Sequence, residues 1–467
     1  MTDGYTKEER MAHRMTEEEV GIIQRRTADD EALAIIPPAP RSIEETGIPE
    51  AFLRELLVKI LWVDDRSTLQ ELSERLGLRA GTVDELIDGV RREHLCEVEA
   101  GGVQSDRALR FRLTDKGKAA AQEALQRCRY VGIAPVPLAA YGQMVNAQKH
   151  RFRRPSLDAI RAALNHLCLP DRVTSLLGQA FFSRLTLMVY GPSGNGKTDI
   201  ISSLARVVEG NVVIPHTVFV QGQLIRIFTP DAHEPVKMPN DDNSLAGIQV
   251  GEAVRYDRRW LPVKRPAVIT GGDMGSEALE MTYDVTLGLY NAPLSVVAQG
   301  GVLMIDDLGR QRISHDEILN RWVIMMEQGY DSFALNTGEL IRLPLDVTLV
   351  FSTNLMLTDL MDEAFLRRIA YKISVPSPDR ASLAEIARRF CHSKEIAWSE
   401  DGVRYLVDRL FGAGMPEARG CFPRDITTII LDEAEFLGQP AILSSEAIET
   451  ALLVYLGAEA TARTQAA

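Results

Sequence analysis

The chain lacks the features that mark secreted, disulfide-linked and membrane-spanning proteins. Its five cysteines are few for 467 residues and are scattered without a C-x-x-C pair, which argues against a disulfide framework or a zinc site. No apolar run approaches the roughly 18 residues of a transmembrane helix, and the N-terminal stretch is too charged for a signal peptide. We therefore expect a soluble, cytoplasmic protein with reduced thiols and no membrane insertion.

The chain also lacks an excess of positive charge. Its 52 lysines and arginines are outnumbered by 65 aspartates and glutamates, which gives a formal net charge of −13. A generic polyanion binder needs the opposite balance, so any contact with nucleic acid requires a local basic surface. The composition is otherwise ordinary for a globular protein, and the length leaves room for roughly two to four domains.

What the sequence does contain is a glycine-rich turn between an apolar run and a predicted helix. Residues 191–198 match the G-x-x-x-x-G-K-[ST] phosphate loop in full. Glycines let successive backbone N–H groups point at an anion, and the following helix adds its positive end. An ordinary glycine-rich loop is the alternative, but the flanking strand and helix favour nucleotide binding. The candidate nucleotide-binding residues are Gly191, Pro192, Ser193, Gly194, Asn195, Gly196, Lys197, Thr198 and Asp199.

A second motif supplies the acidic groups that nucleotide hydrolysis would need beside this loop. Residues 302–305 predict a buried strand, and Asp306 and Asp307 stand at its carboxyl end, where ligands collect in parallel α/β sheets. Lys197 would contact the β/γ-phosphates, and the Thr198 hydroxyl and Asp306 would hold Mg²⁺. Asp307 would orient or deprotonate the attacking water. The alternative is a strand that simply ends in an acidic turn.

Two features bear on the rate of any hydrolysis. Glutamate often takes the role assigned to Asp307, and the aspartate side chain is one methylene shorter, so hydrolysis could be slow. Residues 346–354 predict another buried strand, which ends at Asn354. This side chain either hydrogen-bonds the attacking water or the γ-phosphate, or merely caps the following turn.

Together these motifs resemble the AAA+ ATPases over residues 150–457. The resemblance is carried by GPSGNGKT, MIDD, the STN that ends at Asn354, and DEAFLRRIAYKISVPSP. It implies ATP and Mg²⁺ as cofactors and a homo-oligomeric ring, hexameric by expectation. It also implies an arginine finger, Arg368 or else Arg367, and a further arginine, Arg424, near the γ-phosphate. A surface ion pair is the alternative role for the finger arginines.

The expected fold class is α/β: a P-loop NTPase parallel sheet flanked by helices, with a C-terminal helical lid and an N-terminal winged-helix-like domain. The helix–helix–helix–ribbon–helix pattern of residues 48–130 is what resembles a winged helix-turn-helix. The expected division is a mobile tail at 1–47 with one short helix at 16–26, the winged-helix-like domain at 48–130, a linker at 131–155, the AAA+ core at 156–376, the lid at 377–457 and a disordered tail at 458–467.

The partner of the winged-helix-like domain is left open between protein and DNA. Its would-be recognition helix has more carboxylates than arginines, which is a poor complement to phosphates and favours protein. The residues concerned are Asp84, Glu85, Asp88 and Glu93 against Arg91 and Arg92.

Three functions follow as hypotheses. The first is a ring-shaped Mg²⁺-ATPase that remodels an unidentified protein partner, as MoxR-like or chaperone-like AAA+ proteins do. The second is a DNA-associated regulator or loader, and the third is a scaffold that binds ATP but scarcely hydrolyses it. A P-loop kinase is a weaker alternative because no phosphoacceptor pocket is evident.

Smaller expectations concern the segments between the motifs. Turn residues predict β-hairpins at Gln221-Gly222 and at Thr337-Gly338. Residues 229–262 read as a long surface loop, and residues 276–289 as a helix.

Overall fold

The computed structural model describes residues 34–99, 109–149, 151, 154–236, 256–360, 363–412 and 415–456. The helix expected at 16–26, the tail at 458–467 and much of the loop expected at 229–262 lie outside these residues.

The described residues between 43 and 134, here the N-terminal unit, form helices and a small antiparallel sheet around their own apolar core. Thr68 and Glu71 form a capping box at the start of the second helix, which ends at a left-handed Gly77. The elements are α1 (Glu50–Asp64), β1 (Arg66–Thr68), α2 (Leu69–Leu76), α3 (Ala80–Arg92), β2 (Cys96–Glu99), β3 (Arg110–Leu113) and α4 (Asp115–Arg127). The strand order is β1-β3-β2.

The middle of the chain carries the larger sheets. Its elements are β4 (Val136–Pro137), α5 (Leu138–Gln148), α6 (Leu157–Leu164), α7 (Asp171–Ser183), β5 (Leu187–Tyr190), α8 (Lys197–Ala205), β6 (Asn211–Pro215), β7 (Thr217–Val220), β8 (Gln223–Arg226), β9 (Trp260–Lys264), β10 (Ala267–Thr270), β11 (Thr282–Asp284), β12 (Leu289–Asn291), α9 (Leu294–Val297), β13 (Val302–Ile305), α10 (His315–Gln328), β14 (Tyr330–Ala334), β15 (Leu340–Pro344), β16 (Thr348–Thr353), α11 (Leu357–Leu360), α12 (Glu363–Leu366) and β17 (Tyr371–Ser374).

The central sheet is parallel and has the order β10-β13-β16-β5-β17 in the described part of the chain. Alternate residues of β5 enter different cores: Leu187 and Val189 pack with α6, α7 and α8, whereas Met188 belongs to the core that includes α10. Both faces are therefore covered, as a parallel sheet requires. The expected α/β fold, a parallel sheet flanked by helices, is confirmed.

A second sheet, β11-β12-β8-β7-β4, and the β6-β9 ribbon share an apolar core with one face of the central sheet. The two hairpins expected from turn residues are confirmed as β7-β8 and β14-β15. Phe219 of β7 contacts Phe52 of α1, with ring centroids 4.8 Å apart. The hairpin thus joins the second sheet to the N-terminal unit through apolar contact.

The described residues after 379 form the lid helices α13 (Arg380–Ser393), α14 (Glu400–Leu410), α15 (Phe422–Leu437) and α16 (Ser445–Leu456), which enclose a separate core. No helix in the described ranges has both the length and the apolar character needed to cross a bilayer.

Four local expectations differ from the structure. Residues 34–47 are not a tail, because Ile36 and Ile43 are buried in two different cores. The expected linker contains α5, whose Tyr141 and Val145 are buried at helical spacing. Residues 260–262, expected at the end of a loop, belong to β9 (Trp260–Lys264), which pairs with β6.

The expected helix at 276–289 is also wrong, since it is a short 3-10 turn followed by β11 and the start of β12. The Asp284 carboxylate accepts hydrogen bonds from the N–H groups of Thr286 (2.9 Å) and Leu287 (3.0 Å). Such a local bond offers the backbone a turn in place of a helix.

A buried ion pair fastens the N-terminal unit to the central region. Arg259 and Asp257 are 5% and 2% exposed, and their side chains form several hydrogen bonds of 2.8–3.1 Å. The Arg259 guanidinium also donates to the carbonyls of Thr46 (2.8 Å) and Pro135 (3.3 Å). One side chain therefore joins three segments that are remote in sequence.

We expect Arg259→Met to lower the free energy of unfolding by about 3–5 kcal/mol, because it leaves the Asp257 carboxylate buried and unpaired. Urea unfolding followed by circular dichroism measures this loss. The control is Arg66→Met, whose ion pairs with Asp65 and Glu99 are exposed and should contribute less than about 1 kcal/mol. Equal losses in the two variants would contradict the role given to Arg259.

Candidate active site

A cavity of about 910 Å³ lies at the carboxyl end of the central sheet, between the phosphate loop and the lid helices. Its floor is the loop from Ser193 to Asp199 together with Asp307. Its other walls come from residues 166–170, residues 376–379, α13 and the start of α15. This volume is in the range of roughly 300–1,000 Å³ that small-molecule sites occupy.

The phosphate loop needs glycine at two of its positions for different contacts. Gly191 has φ 143°, and a Cβ there would lie 2.3 Å from the Val375 carbonyl oxygen. Gly194 has φ 85°, and a Cβ there would lie 2.6 Å from the Cys421 Sγ. The loop therefore packs directly against β17 and the start of α15, which only a residue without a side chain permits.

Lys197 is the first residue of α8 and is 6% exposed. Its Nζ donates to the carbonyls of Gly191 and Pro192, each at 2.9 Å. Burial lowers the pKa of Lys197, while the nearby carboxylates of Asp307 and Asp306 oppose that shift. The ammonium group is thus held inside the loop, close to both acids of the second motif.

The two sequence motifs meet in a single hydrogen bond. The Thr198 Oγ1 donates to the Asp306 Oδ2 at 2.6 Å, across a separation of 108 residues. A hydroxyl and a carboxylate side by side offer the hard oxygen ligands that Mg²⁺ prefers. These are the two residues that the sequence assigned to the metal.

Ser352 is a site residue that the sequence reasoning missed. It is fully buried on β16, and its Oγ donates to the other carboxylate oxygen of Asp306. The same hydroxyl accepts from the Asp307 N–H at 3.2 Å. The available signal was strand alternation, because Ser352 is two residues before Asn354 in the strand predicted at residues 346–354, and residues two apart share one side of a strand.

Asp307 and Asn354 occupy the ends of neighbouring strands. Asp307 lines the cavity, and its backbone is left-handed with φ 51°. The Asn354 Oδ1 is buried and has no hydrogen-bond partner among the described residues. An unpaired buried oxygen of this kind is costly unless it serves another purpose.

The three candidate arginines fall in two places. Arg424 lines the cavity and pairs with the Asp425 carboxylate at 2.9 Å. Arg367 and Arg368 are not among the residues around the cavity, and they pair with Glu363 and Glu327 on the surface. Within one chain, the structure therefore brings only Arg424 to the site.

Asn195 has a role that its position in the motif did not reveal. Its Oδ1 accepts from the Gly420 N–H at 3.1 Å, and its Nδ2 donates to the Ser377 Oγ at 3.4 Å. Gly420 lies just before α15, and Ser377 lies just before α13. The phosphate loop is thereby hydrogen-bonded to both segments that enter the lid.

The residues present fit Mg²⁺ shared with a nucleotide. In the described ranges, no group of three or more His, Cys, Asp or Glu side chains forms a metal site made of protein alone. Mg²⁺ bound with phosphates needs only one or two protein ligands, and it retains several waters. Thr198 and Asp306 meet that requirement at the edge of the cavity.

Comparisons with known proteins give distant similarities. A family model with the description "Domain of unknown function (DUF8689)" matches residues 379–453, which is most of the lid. No curated protein matches the chain. RuvB from Thermotoga maritima, a Holliday junction branch migration motor, is similar at 13% identity over 61% of this chain and 70% of that chain, with a TM-score of 0.36.

NtrX from Brucella abortus in complex with ADP is similar at 12% identity, over 70% of this chain and 64% of that chain, with a TM-score of 0.36. Another structure of NtrX is similar at 13% identity, over 78% of this chain and 60% of that chain, with a TM-score of 0.35. These similarities are too distant to assign a function, so the assignment depends on the chemistry of the cavity.

Proposed function

We propose that the protein is a Mg²⁺-dependent AAA+ ATPase that works as a ring and remodels a protein partner. The observation that supports this most strongly is the hydrogen bond between Thr198 and Asp306. It unites a phosphate-binding loop and a strand-end acid pair at one cavity. Neither motif alone distinguishes nucleotide hydrolysis from nucleotide binding, whereas their meeting provides both halves of the chemistry.

In this proposal each side chain has one task. The loop N–H groups and Lys197 bind the phosphates, and Thr198 and Asp306 hold Mg²⁺, which neutralises charge on the phosphate oxygens. Asp307 accepts the proton of the attacking water or orients it. The unpaired Asn354 oxygen accepts a hydrogen bond from the same water. Arg424 faces the cavity from the lid and complements the phosphate charge.

We expect two substitutions to separate binding from hydrolysis. Lys197→Ala should abolish nucleotide binding, because it removes the cation that the loop encloses. Asp307→Asn should retain binding and lower turnover by about 10²-fold or more, since a positioned base contributes about 10²–10⁴-fold. Phosphate release measures turnover, and fluorescence of a labelled ATP analogue measures affinity.

The control is Asp273→Asn, an exposed aspartate in the loop after β10. It should turn over like the wild type. If both test variants released phosphate at the wild-type rate, the catalytic assignment would be wrong. A wild type that binds ATP without measurable turnover would favour the scaffold hypothesis.

The location of Arg368 supports the ring that we propose. Its guanidinium bonds to Glu327 on the surface and is absent from the lining of its own cavity. An arginine finger supplied by a neighbouring subunit would need such a surface position, because its charge must reach another chain's nucleotide. Arg367 is the second choice, and its side chain is 74% exposed.

We expect Arg368→Ala and Asp307→Asn to complement each other when mixed. Each variant alone should lose most of its turnover, and a finger in trans is worth about 10³–10⁵-fold. In a mixed ring, an Arg368→Ala subunit has an intact Asp307 and receives Arg368 from its Asp307→Asn neighbour. Turnover of the mixture, measured after subunit exchange, should therefore exceed the sum of the two separate rates.

The control for this mixture is Arg368→Ala combined with Lys197→Ala in one chain, mixed with Asp307→Asn, which should show no gain. A mixture without gain, from variants that form wild-type oligomers by sedimentation, would contradict the finger. If Arg367→Ala complemented Asp307→Asn and Arg368→Ala did not, Arg367 would be the finger in place of Arg368.

The surface of the N-terminal unit favours protein over DNA as the partner. Asp84, Glu85 and Asp88 are exposed on α3. The arginines at the end of this helix are engaged within it: Arg91 pairs with Asp88, and Arg92 donates to the Asp88 carbonyl. Phosphates would therefore meet an acidic face at the helix that a winged-helix protein would insert.

We expect the Asp307→Asn variant, loaded with ATP, to retain a protein partner from a native lysate. Hydrolysis releases a remodelled partner, so a variant that binds ATP without turnover should hold it. The measurement is the ATP-dependent set of captured proteins, with the Lys197→Ala variant as the matched control. Capture of the chain itself and nothing else would weaken the remodelling proposal. Duplex DNA retained on filters with a steep loss between low and high salt would favour the DNA alternative.

A further inference from the structure

The turn that carries Asp307 is held by the side chain of Gln311. The Gln311 Nε2 donates to the Asp306 carbonyl at 2.9 Å and to the Asp307 carbonyl at 3.2 Å. The Gln311 Oε1 accepts from the Gly309 N–H at 2.8 Å. One planar amide therefore bonds to the carbonyls of Asp306 and Asp307 and to the N–H of Gly309.

Asp307 needs such support because its backbone is in an uncommon conformation. Its φ of 51° is left-handed, a region that costs free energy for residues other than glycine. Aspartate tolerates this region better than most residues, and the surrounding bonds over-determine it. The Arg310 N–H closes the turn onto the Asp307 carbonyl at 3.1 Å.

The bonds of Gln311 control where the Asp307 carboxylate points. The Asp306 carbonyl belongs to the peptide before Asp307, and the Asp307 carbonyl belongs to the peptide after it. Holding both peptides sets φ and ψ of Asp307, and these angles set the direction of its Cα–Cβ bond. The Gln311 Nε2 also lies 3.5 Å from the carbonyl oxygen of Gly271, just beyond β10. This contact fixes the position of the turn relative to the neighbouring strand.

We propose that Gln311 is a positioning residue for hydrolysis, which fixes the backbone of Asp307 and so aims its carboxylate at the attacking water. This role rests on the ATPase activity proposed above. Gln311 is not among the residues that line the cavity. It therefore acts through Asp307, and nucleotide affinity does not depend on it.

The side-chain amide is the group that this position requires. A glutamate of the same length has no N–H to donate, and it would place negative charge against two carbonyl oxygens. An asparagine is one methylene shorter and cannot reach both sides of the turn. Gln311→Glu and Gln311→Asn should therefore both behave like Gln311→Ala.

The test measures turnover, nucleotide affinity and thermal unfolding on the full chain. Gln311→Ala should lower kcat by about tenfold, because the Asp307 carboxylate would be present but misaligned. The affinity for a fluorescent ATP analogue should stay within about twofold of wild type, since the phosphate loop is untouched. The control is Gln328→Ala, an exposed glutamine at the end of α10 that should leave kcat unchanged.

A double-mutant cycle separates positioning from general structural damage. In an Asp307→Asn background, whose residual turnover is read over long incubations, Gln311→Ala should cause no further loss, because the group that it positions is already gone. A tenfold further loss in that background, or a wild-type kcat for Gln311→Ala, would overturn the proposal. Should Gln311→Ala unfold, Gln311→Glu supplies the same comparison.

These measurements also distinguish failure of the ATPase proposal from failure of the role given to Gln311. If Asp307→Asn lowers turnover and Gln311→Ala does not, the ATPase proposal stands and the role of Gln311 is wrong. If the wild type and Asp307→Asn turn over alike, the ATPase proposal itself fails and the positioning role falls with it.

Discussion

The hydrogen bond between Thr198 and Asp306 is the contact on which the candidate site depends. It ties the first turn of α8, the helix that follows β5, to the end of β13, and β5 and β13 are not adjacent in the sheet. Strand β16 lies between β5 and β13. Its Ser352 hydroxyl donates to the Asp306 carboxylate and accepts from the Asp307 N–H. The geometry of the acid pair therefore requires the register of three parallel strands, so the site is only as well defined as the sheet.

The same constraint extends to the rest of the molecule through few, remote contacts. Asn195 hydrogen-bonds the phosphate loop to the segments that precede α13 and α15. A change in the conformation of the loop would therefore alter the contacts of both lid helices. At the other side, Arg259 and the β7-β8 hairpin attach the N-terminal unit. A buried arginine with all its acceptors in place makes that attachment specific, because the loss of any one contact leaves a buried polar or charged group without its partner.

The wrong sequence predictions have two physical causes, one tertiary and one local. Residues 34–47 and 131–155 looked like a tail and a linker because their few apolar residues show no strong local period. Ile36, Ile43 and Tyr141 are nevertheless buried, since distant parts of the chain supply the surfaces that cover them. The helix expected at 276–289 failed because the Asp284 side chain competes for the backbone N–H groups. The helices of the pattern over residues 48–130 were predicted more accurately, and its final helix is α4 at Asp115–Arg127.

By itself the sequence determined the groups whose chemistry is local: the phosphate loop, the buried strand that ends in Asp306 and Asp307, and the hairpin turns. A phosphate-loop motif of eight residues can be recognised locally, because the backbone N–H groups and the helix end that would bind an anion are contiguous. Only the tertiary structure decided the partners of those groups. Ser352 is 45 residues from Asp307, and Gly420 is 225 residues from Asn195, so no local pattern could pair them. It is likewise the contact of the lid with the phosphate loop, through Gly420 and Asn195, that brings Arg424 to the cavity, whereas Arg367 and Arg368 do not line it.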